Sequence, residues 1–191
     1  RSIDTLPQSV SRICGTCSIA HELCCIECIE NALGIEVTPQ TKLLKTLTMH
    51  GLMIRDHALH VYLFSLPDVF NKDSVLDFEG EETQYLKDSF DIKRAGNNLT
   101  KVVAGRAVHS PFPQVGGFAQ IPNNDELKAL IPELKEARKK ILKVIDVYFK
   151  ANVDYTRKTN FVALCGEFNY LDGPLKSSAG LNVPKKEYFG F

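Results

Sequence analysis

Arg12-Ile-Cys-Gly-Thr-Cys-Ser-Ile-Ala-His-Glu-Leu-Cys-Cys-Ile-Glu-Cys-Ile-Glu-Asn-Ala-Leu-Gly34 is the stretch on which the reading of this chain turns. Two cysteines, Cys14 and Cys17, sit in a Gly-containing turn, and a helical pattern begins directly after them at Ser18 and runs to about Leu33. Gly34 is placed to stop the helix, and Ser18 is a candidate N-cap. His21, Cys24, Cys25, Cys28 and Ala32 fall at i, i+3, i+4, i+7 and i+11 and so share one face, with Leu23, Ile26 and Leu33 on the opposite flank. Cysteine inside a helix most often behaves as a small apolar residue. The pattern therefore predicts a helix buried on most sides, with Cys24, Cys25 and Cys28 in its packing.

Working outward, residues 1 to 17 read as an irregular lead-in. After the helix, Thr38-Pro39 opens a second one whose apolar spacing, Leu43, Leu44, Leu47, Leu52, Ile54, Leu59 and Tyr62, continues to about Leu66 before Pro67 ends it. Such a helix is some 40 Å long at about 1.5 Å per residue, and with the first it makes a helical hairpin. A turn-rich connection over 68 to 80 leads to a helix from Glu81 to about Ala95, stopped by Gly96-Asn97-Asn98. Residues 98 to 109 are helix-compatible but Gly-broken, and their state is left open. Three Pro and two Gly over 110 to 122 make a loop. Asn124-Asp125 caps a helix to about Asn152, kinked or divided by Pro132, whose apolar face carries Leu127, Leu130, Ile131, Leu134, Ala137, Ile141, Leu142, Ile145 and Phe149. The last forty residues alternate strand-like pieces such as Phe161 to Cys165 with Gly and Pro turns. The fold class is α-rich α+β: a long helical hairpin, a further long helix and a minor sheet.

The chain has 191 residues, enough for one buried core, and shows no internal repeat, low-complexity tract or dividing linker. Lys plus Arg and Asp plus Glu are both 23, so no net field favours nucleic acid, and no apolar run reaches the length of a membrane span. The partner expected is another protein. No Gly-rich nucleotide loop occurs, and the Asn98-Leu-Thr sequon carries little weight without an export signal. The start at Arg1 and the apolar Glu187 to Phe191 end both look cut. Five of six cysteines crowd between positions 14 and 28, a clustering that points to metal chemistry in a reducing, cytoplasmic compartment rather than to disulfides.

Two thiolates two residues apart at a helix start can bite one soft metal, and the positive helix end favours the charged sulfur. A closed zinc site needs four ligands. Cys25 and Cys28 form a second such pair, so a zinc-binding interaction module built on Cys14, Cys17, Cys25 and Cys28 stands as one alternative. His21, four residues after Cys17, lies one helical turn above the pair, within reach of it or as a satisfied core histidine. His50, His57 and His60 ride the second helix as polar-face residues, with His57 and His60 at a spacing that could also bind a metal. His109 beside Arg106 either lines a pocket or hydrogen-bonds the loop backbone. Cys165 reads as a buried strand residue.

These residues resemble a family. Arg12-Ile-Cys14-Gly-Thr-Cys17-Ser-Ile-Ala-His21 is similar to the RxCGxCxxxH signature of nickel-iron hydrogenase large subunits. Glu30 to Val37, His57 to Phe70 and Gly105 to Phe118 resemble its cytoplasmic multi-subunit branch, the sulfur-reducing and NAD(P)-linked enzymes, so that the likeness spans almost the whole chain. The resemblance implies that Cys14 is a terminal nickel ligand and Cys17 bridges nickel to an iron carrying carbon monoxide and cyanide. It makes His21 and Arg12 residues around those ligands, and puts iron-sulfur clusters on a hydrogenase small subunit, with further electron-transfer subunits beyond. The family's second cysteine pair and its upstream glutamate segment have no match here. Residues 1–191 are therefore expected to be the N-terminal portion of a large-subunit-like domain, completed by the remaining part of the large subunit. A metal-free structural relative within a larger redox complex is the other reading the family offers.

Overall fold

The computed structural model describes residues 2–151, 156–166, 171–185 and 187. The chain, read from sequence as one unit, divides into two compact units, Arg1–Asn152 and Val153–Phe191. Among the described residues the first is built of helices α1 (Leu6–Val10), α2 (Ser18–Leu33), α3 (Pro39–Leu59), α4 (Leu66–Val69), α5 (Thr83–Ala104), α6 (Asn124–Ala129) and α7 (Ile131–Lys150). Strands β1 (Pro113–Gln114) and β2 (Gly117–Phe118) form a hairpin in it. The second unit holds an antiparallel sheet in the order β3 (Val162–Leu164), β4 (Leu175–Ser177), β5 (Asn182–Val183).

The lead-in predicted to be irregular contains α1, which has Pro7 in its first turn, where a missing N–H costs nothing, and packs on α2. Helix α2 has the predicted bounds. Its C-terminus closes on Gly34 at φ 66°, with the Ile35 N–H donating to the Glu30 carbonyl at 2.9 Å. Ser18 is not the cap: Cys17 is, and the Ser18 hydroxyl instead accepts the His109 N–H at 3.1 Å. Of the two flanks expected to be buried, the one with Leu23 and Ile26 is, though Leu33 is exposed, and the cysteine flank is not. Ile19, Glu22, Leu23, Ile26, Ile29 and Glu30 are buried, while Cys24 and Cys28 are exposed and Cys25 is half-buried. Ile19, Leu23 and Ile26 together offer more apolar area than the thiols, so their stripe turns inward and takes two glutamates with it.

Thr38 caps α3, its hydroxyl accepting the Thr41 N–H at 3.2 Å. Pro67 does not end this rod by itself. The α-helix stops at Leu59, a wide π-helical stretch spans His60–Ser65, and Pro67 lies inside α4. Proline lacks the N–H that would bond the Leu63 carbonyl and its ring crowds that oxygen, and the wider turn relieves both.

Helix α5 runs straight through Gly96-Asn97-Asn98, the predicted stop, and ends at Gly105 with φ 87°. Gly96 is a contact, not a terminator, because it meets Gly51 where α3 crosses α5. Below this crossing lies the main core, Ala58, Tyr62, Leu66, Phe78, Ile92, Ala95, Ala137 and Val144. A smaller cluster of Leu44, Leu99 and Val103 sits toward Phe118 and α6.

The predicted division at Pro132 is present, with α6 capped by Asn123, one residue before the predicted cap, and α7 beginning at Ile131. Asn152, the predicted end of this helix, lies outside the described residues. Helix α7 splits its apolar residues: Leu134, Ala137, Ile141 and Val144 pack inward, while Leu142 and Ile145 are exposed and Phe149 is 84% exposed. The predicted strand near Phe161 is β3, yet Cys165 beyond it is exposed, since a sheet of three short strands buries little beyond Val183. Residues 188–191 of the aromatic end lie outside the described residues.

Candidate metal centre

Cys14 follows a short turn of helix, Ser11–Ile13, and has extended backbone, whereas Cys17 takes the helix-capping position before α2. This change of direction over two residues brings both sulfurs to the same side. Their sulfurs and an imidazole nitrogen of His21 all lie within 4.8 Å of one another, and the three residues are half-buried. Among the described residues no other group of three or more His, Cys, Asp or Glu is so arranged. Cys25 and Cys28 therefore do not join Cys14 and Cys17, and the four-cysteine zinc arrangement is not formed. His57 and His60 are exposed on their helix.

The two thiols share their protons unequally. Cys14 is held below the usual thiol range, first by a hydrogen bond from the Cys17 thiol and then by the Cys17 backbone N–H, 3.3 Å from its sulfur. Cys17 is pushed up, first because its thiol donates to Cys14 and then by burial. The hydrogen bond between the two sulfurs thus makes Cys14 the more acidic of the pair. The donor set, two soft sulfurs with a borderline nitrogen alongside, suits nickel, zinc or copper rather than a hard oxygen-seeking ion. Bound between Cys14 and Cys17, such a metal would have His21 one turn above it.

Three buried charged residues, two near the pair and one at the far end of α2, have no counterpart in the sequence reading. Arg55 on α3, 3% exposed, donates through Nη2 to the Thr16 carbonyl inside the Cys14–Cys17 turn, through Nη1 to the Ala107 carbonyl at 2.7 Å and through Nε to Asp56 Oδ1 at 3.0 Å. Glu22, fully buried on α2, accepts from Gln8 Nε2 at 2.5 Å, and Gln8 also donates to the Ser110 carbonyl at 2.7 Å. Burial pushes the Glu22 carboxyl up to about 8, although Arg12 nearby acts in the opposite sense, and its Oε2 has no hydrogen-bond partner among the described residues. Glu30 meets Lys45 in a buried ion pair and accepts the Gly116 N–H at 2.8 Å, tying α2 to the β1–β2 hairpin. The signal for all three was a charge at a core position. Arg55 falls in the stripe Thr48, Leu52, Ala58, Tyr62, and the two glutamates fall in the stripe Ile19, Leu23, Ile26, Ile29.

Arg12 itself is exposed and reaches the site through its field on Glu22 and His109. His109, at φ 51°, has its Nδ1 3.2 Å from Ser11 Oγ while its N–H bonds Ser18. It joins the loop after α5 to the segments on either side of the cysteine turn; its imidazole meets a side chain, Ser11, and not the loop backbone expected from sequence.

The signature, the helical frame and the paired thiols are those of the hydrogenase class, and the comparisons agree. A family model described as Nickel-dependent hydrogenase matches residues 2–98, and the chain belongs to that family. It is 32% identical over 143 residues to the alpha subunit of Sulfhydrogenase 2 of Pyrococcus furiosus, covering 75% of this chain and 35% of that protein. It is 30% identical over 138 residues to the alpha subunit of Coenzyme F420 hydrogenase of Methanothermobacter thermautotrophicus, covering 72% and 32%. Among solved structures it matches an NAD+-reducing [NiFe]-hydrogenase in the H2-reduced state, with a TM-score of 0.85, 18% identity, and coverage of 97% of this chain and 46% of that one. A Ni-Fe-Se hydrogenase from D. vulgaris Hildenborough gives a TM-score of 0.74 at 21% identity, covering 96% and 44%. These structural likenesses establish the helix-rich large-subunit fold. The chain thus spans about a third to a half of the length of these relatives. No described helix is long and apolar enough to cross a membrane.

Proposed function

We propose that this chain is the N-terminal portion of the catalytic subunit of a nickel-iron hydrogenase, in which Cys14 and Cys17 supply two of the thiolates holding the metal centre. The observation that carries the reading is the convergence of the two sulfurs with His21 inside one 4.8 Å group, at the family's own signature. When bound, the nickel-iron pair, its iron bearing carbon monoxide and cyanide, would supply the reversible two-electron chemistry of dihydrogen.

The chain's own residues have separable duties. Cys14, the more acidic sulfur, and Cys17 would hold the metal as thiolates, and binding would displace the proton that Cys17 shares with Cys14. His21 stands beside both sulfurs, where its second nitrogen can hold a ligand's orientation. Arg12 keeps a positive charge near the mouth of the turn. Two further thiolates would come from the remaining part of the large subunit, since Cys24, Cys25 and Cys28 stand outside this group. A small subunit with iron-sulfur clusters and further electron-transfer subunits would take the electrons, and the setting proposed is cytoplasmic.

The test is metal analysis and infrared spectroscopy of the complete complex, purified without oxygen. Nickel together with bands in the carbon monoxide and cyanide stretching region, both lost in Cys14→Ser, is the expected result. Zinc alone, or no metal, would leave a hydrogenase-like scaffold with a structural role.

A further inference from the structure

We infer that Arg55 is a positioning residue for the cysteine turn: it grips the oxygen of the Thr16–Cys17 peptide unit and thereby aims that unit's N–H at the Cys14 sulfur. The inference rests on the proposed role of Cys14 and Cys17 as ligands. A peptide unit is planar, so its carbonyl oxygen and its N–H move together as one rigid plate. Arg55 Nη2 holds the oxygen of this plate, and the other end, the Cys17 N–H, lies 3.3 Å from Cys14 Sγ. Rotating the plate would carry the N–H away from Cys14 and would turn the Cys17 side chain at the start of α2.

The guanidinium is suited to hold the plate still. Its fork is rigid, and its second arm, Nη1, is anchored on the Ala107 carbonyl at 2.7 Å while Nε is held by Asp56 at 3.0 Å. All three nitrogens are therefore engaged, which is what permits a charge to stand at a core position. Its backbone is fixed in turn by the crossing of α3 and α5. A Cβ on Gly96 would come within 2.8 Å of the Arg55 nitrogen and 3.2 Å of its Cβ, so glycine at 96 sets the depth at which the arginine enters. A lysine carries its donors on one compact head without the planar fork and would hold the Thr16 carbonyl less rigidly, and a glutamine is shorter and uncharged.

The experiment uses the full-length subunit, with Arg55→Lys and Arg55→Gln, in nickel-free and nickel-loaded forms. Amide hydrogen exchange is followed at Cys17 and along α2 in the nickel-free form, and nickel X-ray absorption in the loaded form. Exchange at Cys17 should rise about tenfold or more in Arg55→Gln and by less in Arg55→Lys, with the amides beyond Leu23 unchanged. The loaded variants should show a disturbed sulfur shell around nickel. Exchange at Cys17 within about twofold of the parent, or exchange raised equally throughout α2, overturns the clamp. Should Arg55→Gln not fold, Arg55→Lys decides by the same criteria. A parent protein without nickel would remove the ligand assignment, while the exchange result would still stand or fall by itself.

Discussion

Gly51 on α3 and Gly96 on α5 touch backbone to backbone: a Cβ on Gly96 would lie 2.7 Å from the Gly51 carbonyl oxygen, and one on Gly51 would lie 3.0 Å from that of Gly96 and overlap Thr100 Oγ1. Backbone atoms cannot step aside as a flexible side chain does. Gly96→Ala should therefore destabilise the protein by about 1–3 kcal/mol, seen as a lowered midpoint in thermal or denaturant unfolding. Gly117→Ala is the matched control, since a Cβ there meets nothing within 4 Å, and its midpoint should stay close to the parent's.

The same crossing marks where the sequence could and could not be read. Helix α2, the start of α3 at Thr38-Pro39 and the break at Pro132 were legible because each depends on local chemistry: a C-terminal glycine, a proline suited to a first turn, a ring without an N–H. Gly96 was misread because a helix stop and a helix contact have the same local signature, and only the partner Gly51 tells them apart. Cys14, Cys17 and His21 were legible as a group, being neighbours within two turns of chain. Arg55 was not, because its acceptors Thr16 and Ala107 lie 39 and 52 residues away.

Lys45 and Glu30 form an ion pair at 2.5 and 2.7 Å with little access to water on either side. Removing one partner leaves the other buried and unpaired, so Lys45→Met and Glu30→Gln should each cost about 3–5 kcal/mol. The double variant should cost markedly less than the two singles added together. Glu30→Gln should also loosen the hairpin at Gly116, because a neutral acceptor holds that N–H less firmly. A double-mutant cycle by denaturant unfolding checks the first point and amide exchange at Gly116 the second.

Cys25 and Cys28 lie outside the group formed by Cys14, Cys17 and His21, although all five share one short stretch of sequence. If the metal is held as proposed, Cys25→Ser and Cys28→Ser should leave nickel per subunit unchanged, whereas Cys17→Ser should abolish it. Elemental analysis of the purified complex separates these outcomes. Loss of metal in Cys28→Ser would instead restore the four-cysteine zinc reading.

Glu22 ties stability to pH. Its carboxyl is pushed up from an ordinary value of 4.5 to about 8, chiefly by burial, so the folded chain keeps a proton that the unfolded chain releases. Below pH 4.5 both states are protonated and the group makes no difference. Between 4.5 and 8 the unfolded state alone loses its proton, and stability falls with rising pH at up to roughly 1.4 kcal/mol per unit. Above 8 both are ionised and the contribution is level again. The sign is opposite to that of a salt-bridged carboxylate, whose stabilising effect is lost on acidification. Glu22→Gln keeps an oxygen for Gln8 Nε2 to donate to and cannot ionise, so it should abolish this slope and make the variant more stable than the parent at pH 8, by a few kcal/mol. Denaturant unfolding of both proteins at pH 5 and pH 8 measures it. Parallel pH profiles would mean that the Glu22 carboxyl titrates alike in the folded and unfolded chain and that burial does not raise it.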